Sequence, residues 1–197
     1  MQHAEEIDRR EGYIYDPIVK GADTTFWKAI TGTLSISGSS LLFNVDTDAS
    51  YIQHRFGHYV FSVNVPVKPT AGDARKFGLI NAANPTKGSV YFETTGTTFQ
   101  AVSYDDFGNT KATSITWNDT DWSAHAILFE ILWERDHIVF IVNGSVVATH
   151  VNQAQGLNTA TSTNQVGTIP QALYILNGNA DNMLVAFVEV RNAMVIV

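Results

Sequence analysis

The chain has 197 residues, enough for one well-filled core, and 19 acidic against 12 basic side chains give it a formal net charge of −7. A surface of that sign repels phosphate backbones and anionic lipid, so neither a nucleic-acid nor a membrane partner is expected. The absence of cysteine excludes disulfides, thiolate metal sites and cysteine nucleophiles together.

Charged residues make up 16% of the chain and hydrophobic ones 45%. Thr, Ser, Asn and Gly supply most of the polar surface, a composition that suits sheets and turns better than helices. The acidic N-terminus has no basic region followed by an apolar one, so no signal peptide is expected. The most apolar stretches, Ala126–Trp133 and Met183–Val190, are too short to span a bilayer.

Residues 1–28 differ from the rest. Glu5, Glu6, Asp8, Arg9, Arg10 and Glu11 precede Tyr13-Ile14-Tyr15-Asp16-Pro17-Ile18-Val19, which has no clear period, and the segment ends near Phe26-Trp27. This pattern predicts an extended N-terminal arm that either packs on its own domain or reaches a neighbouring subunit. In the second case Tyr13, Tyr15, Phe26 and Trp27 are the partner-binding residues.

From Ile30 onward strand signals follow closely. Thr33–Ser37 alternates, Leu41–Val45 and Tyr51–His54 flank a polar Asp46-Thr47-Asp48 turn, and His58–Val65 puts Tyr59, Phe61, Val63 and Val65 on one side. Phe77–Ala82, Ser89–Glu93, Thr97–Tyr104 and Lys111–Trp117 continue the pattern, joined by turns at Asn84-Pro85, Thr95-Gly96 and Phe107-Gly108-Asn109. Ala126–Trp133 and His137–Val142 pair about Glu134-Arg135-Asp136, and Asn143-Gly144 is a hairpin signal leading into Ser145–Val151. A polar loop, Asn152–Thr168, precedes the closing strands Ala172–Leu176 and Met183–Arg191. No long stretch has a helical period and no repeat recurs, so residues 29–197 are expected to form an all-β, two-sheet antiparallel sandwich.

The run Ile127–Trp133, the strand His137–Val142 with Asn143-Gly144-Ser145, and Pro170-Gln171-Ala172-Leu173-Tyr174-Ile175-Leu176-Asn177 resemble the concanavalin A-like lectin/glucanase superfamily. The resemblance covers roughly residues 112–191 and implies a jelly roll. More narrowly, Phe77-Gly78-Leu79-Ile80, Tyr91-Phe92-Glu93, Phe99-Gln100-Ala101-Val102, the Trp133 strand and Asn179-Ala180-Asp181-Asn182 resemble jelly-roll proteins among bacteriophage structural genes.

Glucan-cutting members of the superfamily carry nucleophile and acid on a Glu-x-Asp-x-Glu strand, and this chain lacks that pattern. Its nearest run, Glu130-Ile131-Leu132-Trp133-Glu134, has Leu132 where the Asp would stand. Nucleophile-elbow, phosphate-loop and dinucleotide motifs are absent. His54 and His58 have zinc-like spacing, but on a strand interrupted by Gly57, so they read as ordinary histidines, as do His125, His137 and His150. Asp46-Thr47-Asp48 and Asn177–Asn182 could offer oxygen ligands to calcium, yet such turns form without metal, and no cofactor is assigned. Asn118-Asp119-Thr120 and Asn143-Gly144-Ser145 fit the glycosylation sequon, with Asn143 better explained by its turn.

These observations lead to the expectation of a non-enzymatic virion structural protein, a bacteriophage capsid decoration or cement protein. The arm and the 152–168 loop would bind a major capsid protein or other virion subunits, and the protein would form a homo-oligomer such as a trimer on the capsid surface. The alternative is a lectin-like module on a phage tail or fibre, or extracellular, that binds a surface glycan through Trp117, Asp119, Trp122 and Tyr104.

Overall fold

The computed structural model describes residues 10–15, 28–31, 34–38, 40–43, 47–64, 74–80, 84–95, 98–116, 126–151, 171–178 and 183–195. Fifteen strands and no helix occur among them. In chain order they are β1 (Arg10–Tyr15), β2 (Lys28–Thr31), β3 (Leu34–Ser37), β4 (Ser40–Phe43), β5 (Thr47–Arg55), β6 (Gly57–Asn64), β7 (Ala74–Ile80) and β8 (Val90–Thr95). They continue as β9 (Thr98–Tyr104), β10 (Thr110–Ile115), β11 (Ile127–Trp133), β12 (His137–Val142), β13 (Ser145–Val151), β14 (Gln171–Asn177) and β15 (Met183–Val195). The expected two-sheet antiparallel jelly roll is the observed fold. Thr47 and Asp48, expected in a turn, belong to β5.

One sheet runs β10-β9-β8-β7-β14-β5 and the other β15-β6-β11-β12-β13. Every pairing is antiparallel, so alternate residues of each strand face the partner sheet. The sheets join where β15 meets β5 through Met194↔Arg55 and Val195↔His54. The chain itself turns from one sheet into the other between β5 and β6, where Phe56 (φ 51°) and Gly57 (φ 138°) take conformations open mainly to glycine. Two contacts hold Phe56 there. Its carbonyl accepts a bond from the Tyr59 hydroxyl at 3.0 Å, and its ring packs edge-on against Trp133 at 5.5 Å.

The core lies between the sheets. Phe77, Leu79, Val90, Phe92 and Leu173 from the first sheet meet Tyr59, Phe61, Phe129, Ile131, Trp133 and Phe140 from the second, all buried. Phe92 contacts the rings of Phe77, Phe99, Phe129 and Phe140 at centroid separations of 5.6, 6.0, 5.1 and 5.2 Å. Burying one such side chain stabilises by about 1.5–3 kcal/mol, and the spacing adds favourable ring–ring geometry. At the Asn143-Gly144 hairpin both residues have positive φ, 47° and 77°, as a tight two-residue hairpin requires.

Near the β10 and β13 edges the sheets are bridged by a polar contact. His150 of β13 is fully buried, with Nδ1 2.7 Å from Ser103 Oγ of β9 and Nε2 3.0 Å from Thr113 Oγ1 of β10. Its ring also packs 5.0 Å from Phe140. Burial, and secondarily the Lys111 ammonium, holds the imidazole down to about 4 from its ordinary 6.5.

The unfolded chain therefore binds this proton first as pH falls, and stability is lost between pH 6.5 and about 4. The loss at the low end is on the order of 2–3 kcal/mol. Urea denaturation across that range should show midpoints falling with pH. His150→Gln, whose amide can bond both hydroxyls without titrating, should flatten the fall. An unchanged slope in the variant would assign the effect to other groups.

Candidate functional site

β8 alternates between the two faces of its sheet. Val90 and Phe92 enter the core, while Tyr91 and Glu93 point to the opposite, outer face. Registry builds a surface around them. Tyr174, Gly78, Tyr91 and Val102 form one row across β14, β7, β8 and β9, and Leu176, Lys76, Glu93 and Gln100 form the next. Although outward, Tyr91 and Val102 are each only 2% exposed, and with Ile80 and Tyr174 they make a second apolar cluster against which Tyr104 and Leu176 pack.

Glu93 is the ionisable centre of this face. Gln100 Nε2 donates to its Oε1 at 2.7 Å, and Lys76 Nζ lies 3.3 Å from its Oε2. The same ammonium sits 5.0 Å from the centroid of the Tyr91 ring, a cation–π contact. Tyr91 stacks on Tyr104 at 6.4 Å with 26° between the planes. Burial raises the Tyr91 phenol well above its ordinary value, helped by the charge on Glu93 and by Tyr104, so it stays protonated. A carboxylate whose two oxygens are separately held, set among tyrosine rings, can exchange a proton with a bound molecule and can hydrogen-bond a hydroxyl-rich one.

Of the residues expected to bind, Tyr104 lies on this face. Trp117, Asp119 and Trp122 fall outside the described residues, as do Phe26 and Trp27. Tyr13 and Tyr15 lie on β1, within the expected 1–28 arm, and are registered with Val190 and Val188 of β15, so this part of the arm is a strand of the protein's own second sheet. Asp46 and residues 179–182 of the two candidate calcium turns are also outside the described set. Asn177 is buried and accepts a bond from Arg75 Nε at 3.1 Å. Asp48 occupies the Leu176 row, three strands from Glu93, about 14 Å at ~4.8 Å per strand.

Glu130 and Glu134 are not a catalytic pair. Glu130 lies on the outer face of the other sheet, 2.7 Å from His58 Nε2, and Glu134 sits in an exposed turn 3.8 Å from His137. Glu93, Lys76, Gln100 and Tyr174 are not among the residues expected from the sequence to bind. One signal was available: Ser89-Val90-Tyr91-Phe92-Glu93 has the alternation of a Glu-x-Asp-x-Glu strand, and Glu93 stands in its last acidic place. Ser89 and Tyr91 stand in the other two, which is why a search for the full motif passes over the strand.

Residues 32–180 match the family described as Glycosyl hydrolases family 16. No curated protein matches the chain in sequence. Among solved structures, a Bacillus licheniformis β-glucanase superposes with a TM-score of 0.67 at 13% identity, covering 91% of this chain and 97% of that one. A prokaryotic β-1,3-1,4-glucanase (lichenase) derived from a mouse hindgut metagenome gives 0.66 at 12% identity, covering 92% and 99%. An apo transglycosylase gives 0.63 at 16% identity, covering 92% and 84%.

The family match overturns several expectations. The superfamily resemblance holds, but a phage decoration protein finds no support, and with it go the capsid partners, the homo-oligomer and the virion location. The expectations of a non-enzyme and of a lectin-like module are displaced by a family of glycosyl hydrolases. The physical reason for the narrower error is visible in β7, β8 and β9. Their aromatic alternation serves a sandwich core that any jelly roll must fill, so it carries fold information and no partner information.

Gly78 makes the tyrosine row possible. A Cβ there would lie 2.4 Å from the Val90 carbonyl oxygen and 2.6 Å from Tyr91 Cα, both backbone atoms that cannot swing aside. Gly78→Ala should therefore push β8 from β7 and move Tyr91, at a cost of about 1–3 kcal/mol or more. A thermal melt and near-ultraviolet circular dichroism would register both effects. An unshifted melt would show that the strands separate without cost.

Proposed function

Because the chain belongs to glycosyl hydrolases family 16, we propose that it acts on glycosidic bonds of a polysaccharide held on the outer face of the first sheet, with Glu93 as the acid/base carboxylate. The observation that carries this reading is the Glu93 carboxylate held between Lys76 and Gln100 beside the Tyr91–Tyr104 stack. Pyranose rings have apolar C–H faces and polar rims. Tyr104, half-buried and backed by the buried Tyr91 and Tyr174, suits the former, and Glu93, Gln100 and Lys76 suit the latter.

Glycosidic cleavage needs a proton delivered to the departing oxygen as charge develops on the sugar. In its acid form Glu93 gives this proton to the departing oxygen, and a water that bonds to the anomeric carbon in place of the departing sugar returns a proton to the carboxylate. Gln100 fixes the orientation of one carboxyl oxygen, and the Lys76 ammonium fixes the other. The second participating group belongs roughly 5–9.5 Å away. By its register Asp48 lies beyond that range. The solved structures of similar fold are named as β-glucanases and a transglycosylase, so β-glucans are the first substrates to test.

Release or transfer of reducing ends from β-1,3- and mixed-linked β-1,3-1,4-glucans is the direct assay. Glu93→Gln, nearly isosteric and still able to bond Gln100, should remain folded and lose about a hundred- to ten-thousandfold in kcat. Turnover that survives the substitution would remove Glu93 from the reaction. A folded wild-type protein that turns over no glycan would overturn the reading itself.

A further inference from the structure

The β9–β10 hairpin continues the strand that carries Tyr104, and its tip is pinned to an unusual degree. Asp105 is fully buried. Its Oδ1 accepts bonds from the backbone N–H groups of Phe107 (2.9 Å) and Asn109 (2.8 Å), and its Oδ2 accepts one from Asn109 Nδ2 (2.7 Å). The Asp105 carbonyl also accepts from Gly108 N and, from the neighbouring 84–88 turn, Gly88 N at 2.9 Å. Gly108 presses so closely on that turn that an added Cβ would stand 3.3 Å from the Thr86 carbonyl oxygen. On this rigid support Phe107 is 46% exposed, three residues beyond Tyr104.

Holding a large apolar ring in water brings the isolated fold no burial energy, and a locked backbone spares a ligand the entropy of ordering the loop. We infer that Phe107 is an accessory stacking position for a saccharide chain that extends off the end of the sheet past Tyr104. The inference rests on the reading of the outer face as a polysaccharide site, with which the hairpin is continuous through β9. Thr86 and Lys87, both exposed on the adjoining turn, provide a polar rim for sugar hydroxyls. Phe107 thereby selects for chain length, since only a ligand long enough to leave the sheet reaches it.

The test is direct binding of polymeric β-glucan and of short β-gluco-oligosaccharides to the wild-type protein, Phe107→Ala and Phe107→Trp. Phe107 is exposed and its backbone is held by Asp105, so both variants should fold as the parent does. Phe107→Ala should weaken the polymer Kd by roughly three- to tenfold while leaving the short ligands unchanged, and Phe107→Trp should restore polymer binding. An unchanged polymer Kd in Phe107→Ala, or equal weakening at every length, overturns the accessory position while leaving the Glu93 reading intact. A wild-type protein that binds no glucan of any length sinks the face as a saccharide site, and Phe107 with it.

Discussion

The structure depends on the burial of Phe92. Its ring lies between those of Phe77, Phe99, Phe129 and Phe140, contributed by four other strands of both sheets, so it ties the sandwich together across its thickness. Because side chains alternate along a strand, committing Phe92 to the core commits Tyr91 and Glu93 to the outer face. A slip of one residue would bury a carboxylate and expose the aromatic hub, at a cost no other contact on the strand could offset. Core packing and site placement are therefore one constraint seen from two sides of β8.

The outer face is built from what that constraint allows. Gly78 lets β7 approach β8 closely beside Tyr91, and the register then carries Lys76 and Gln100 to either side of Glu93. An ion pair this little exposed gains Coulomb energy but loses hydration, so its net effect on stability is small. Its clearer consequence is geometric, because two partners on separate oxygens leave the carboxylate few orientations. Two other acidic groups on the described strands are used differently. Glu130 bonds His58, and Glu189 forms a two-point pair with Arg191 at 2.6 and 2.7 Å that lowers its carboxyl below the usual range.

Most of the strand positions were legible in the chain, because period-two alternation and turn chemistry are local. Trp133, which alternates with Phe129 and Ile131 along its strand, is fully buried, and the Asn143-Gly144 hairpin has the expected backbone. The N-terminal segment was harder. Tyr13 and Tyr15 have no periodic neighbours in sequence, and only the distant β15 shows where they pair. Glu93 is hidden for a related reason: its strand carries one of the motif's three acidic positions, and its neighbours on the outer face come from β7, β9 and β14.

Sequence alone determined that this chain makes an all-β sandwich without disulfides, since alternation, turn residues and cysteine content are properties of short segments or simple counts. It also carried the superfamily, through the Trp133 strand and the hairpin after it. Only the tertiary structure brought Glu93 together with its neighbours. Lys76, Glu93 and Gln100 become neighbours through antiparallel register, and Tyr174, eighty-one residues beyond Glu93, joins them because β14 inserts beside β7. Register is set by which faces must be buried across the whole sandwich, and no local stretch of sequence contains that information.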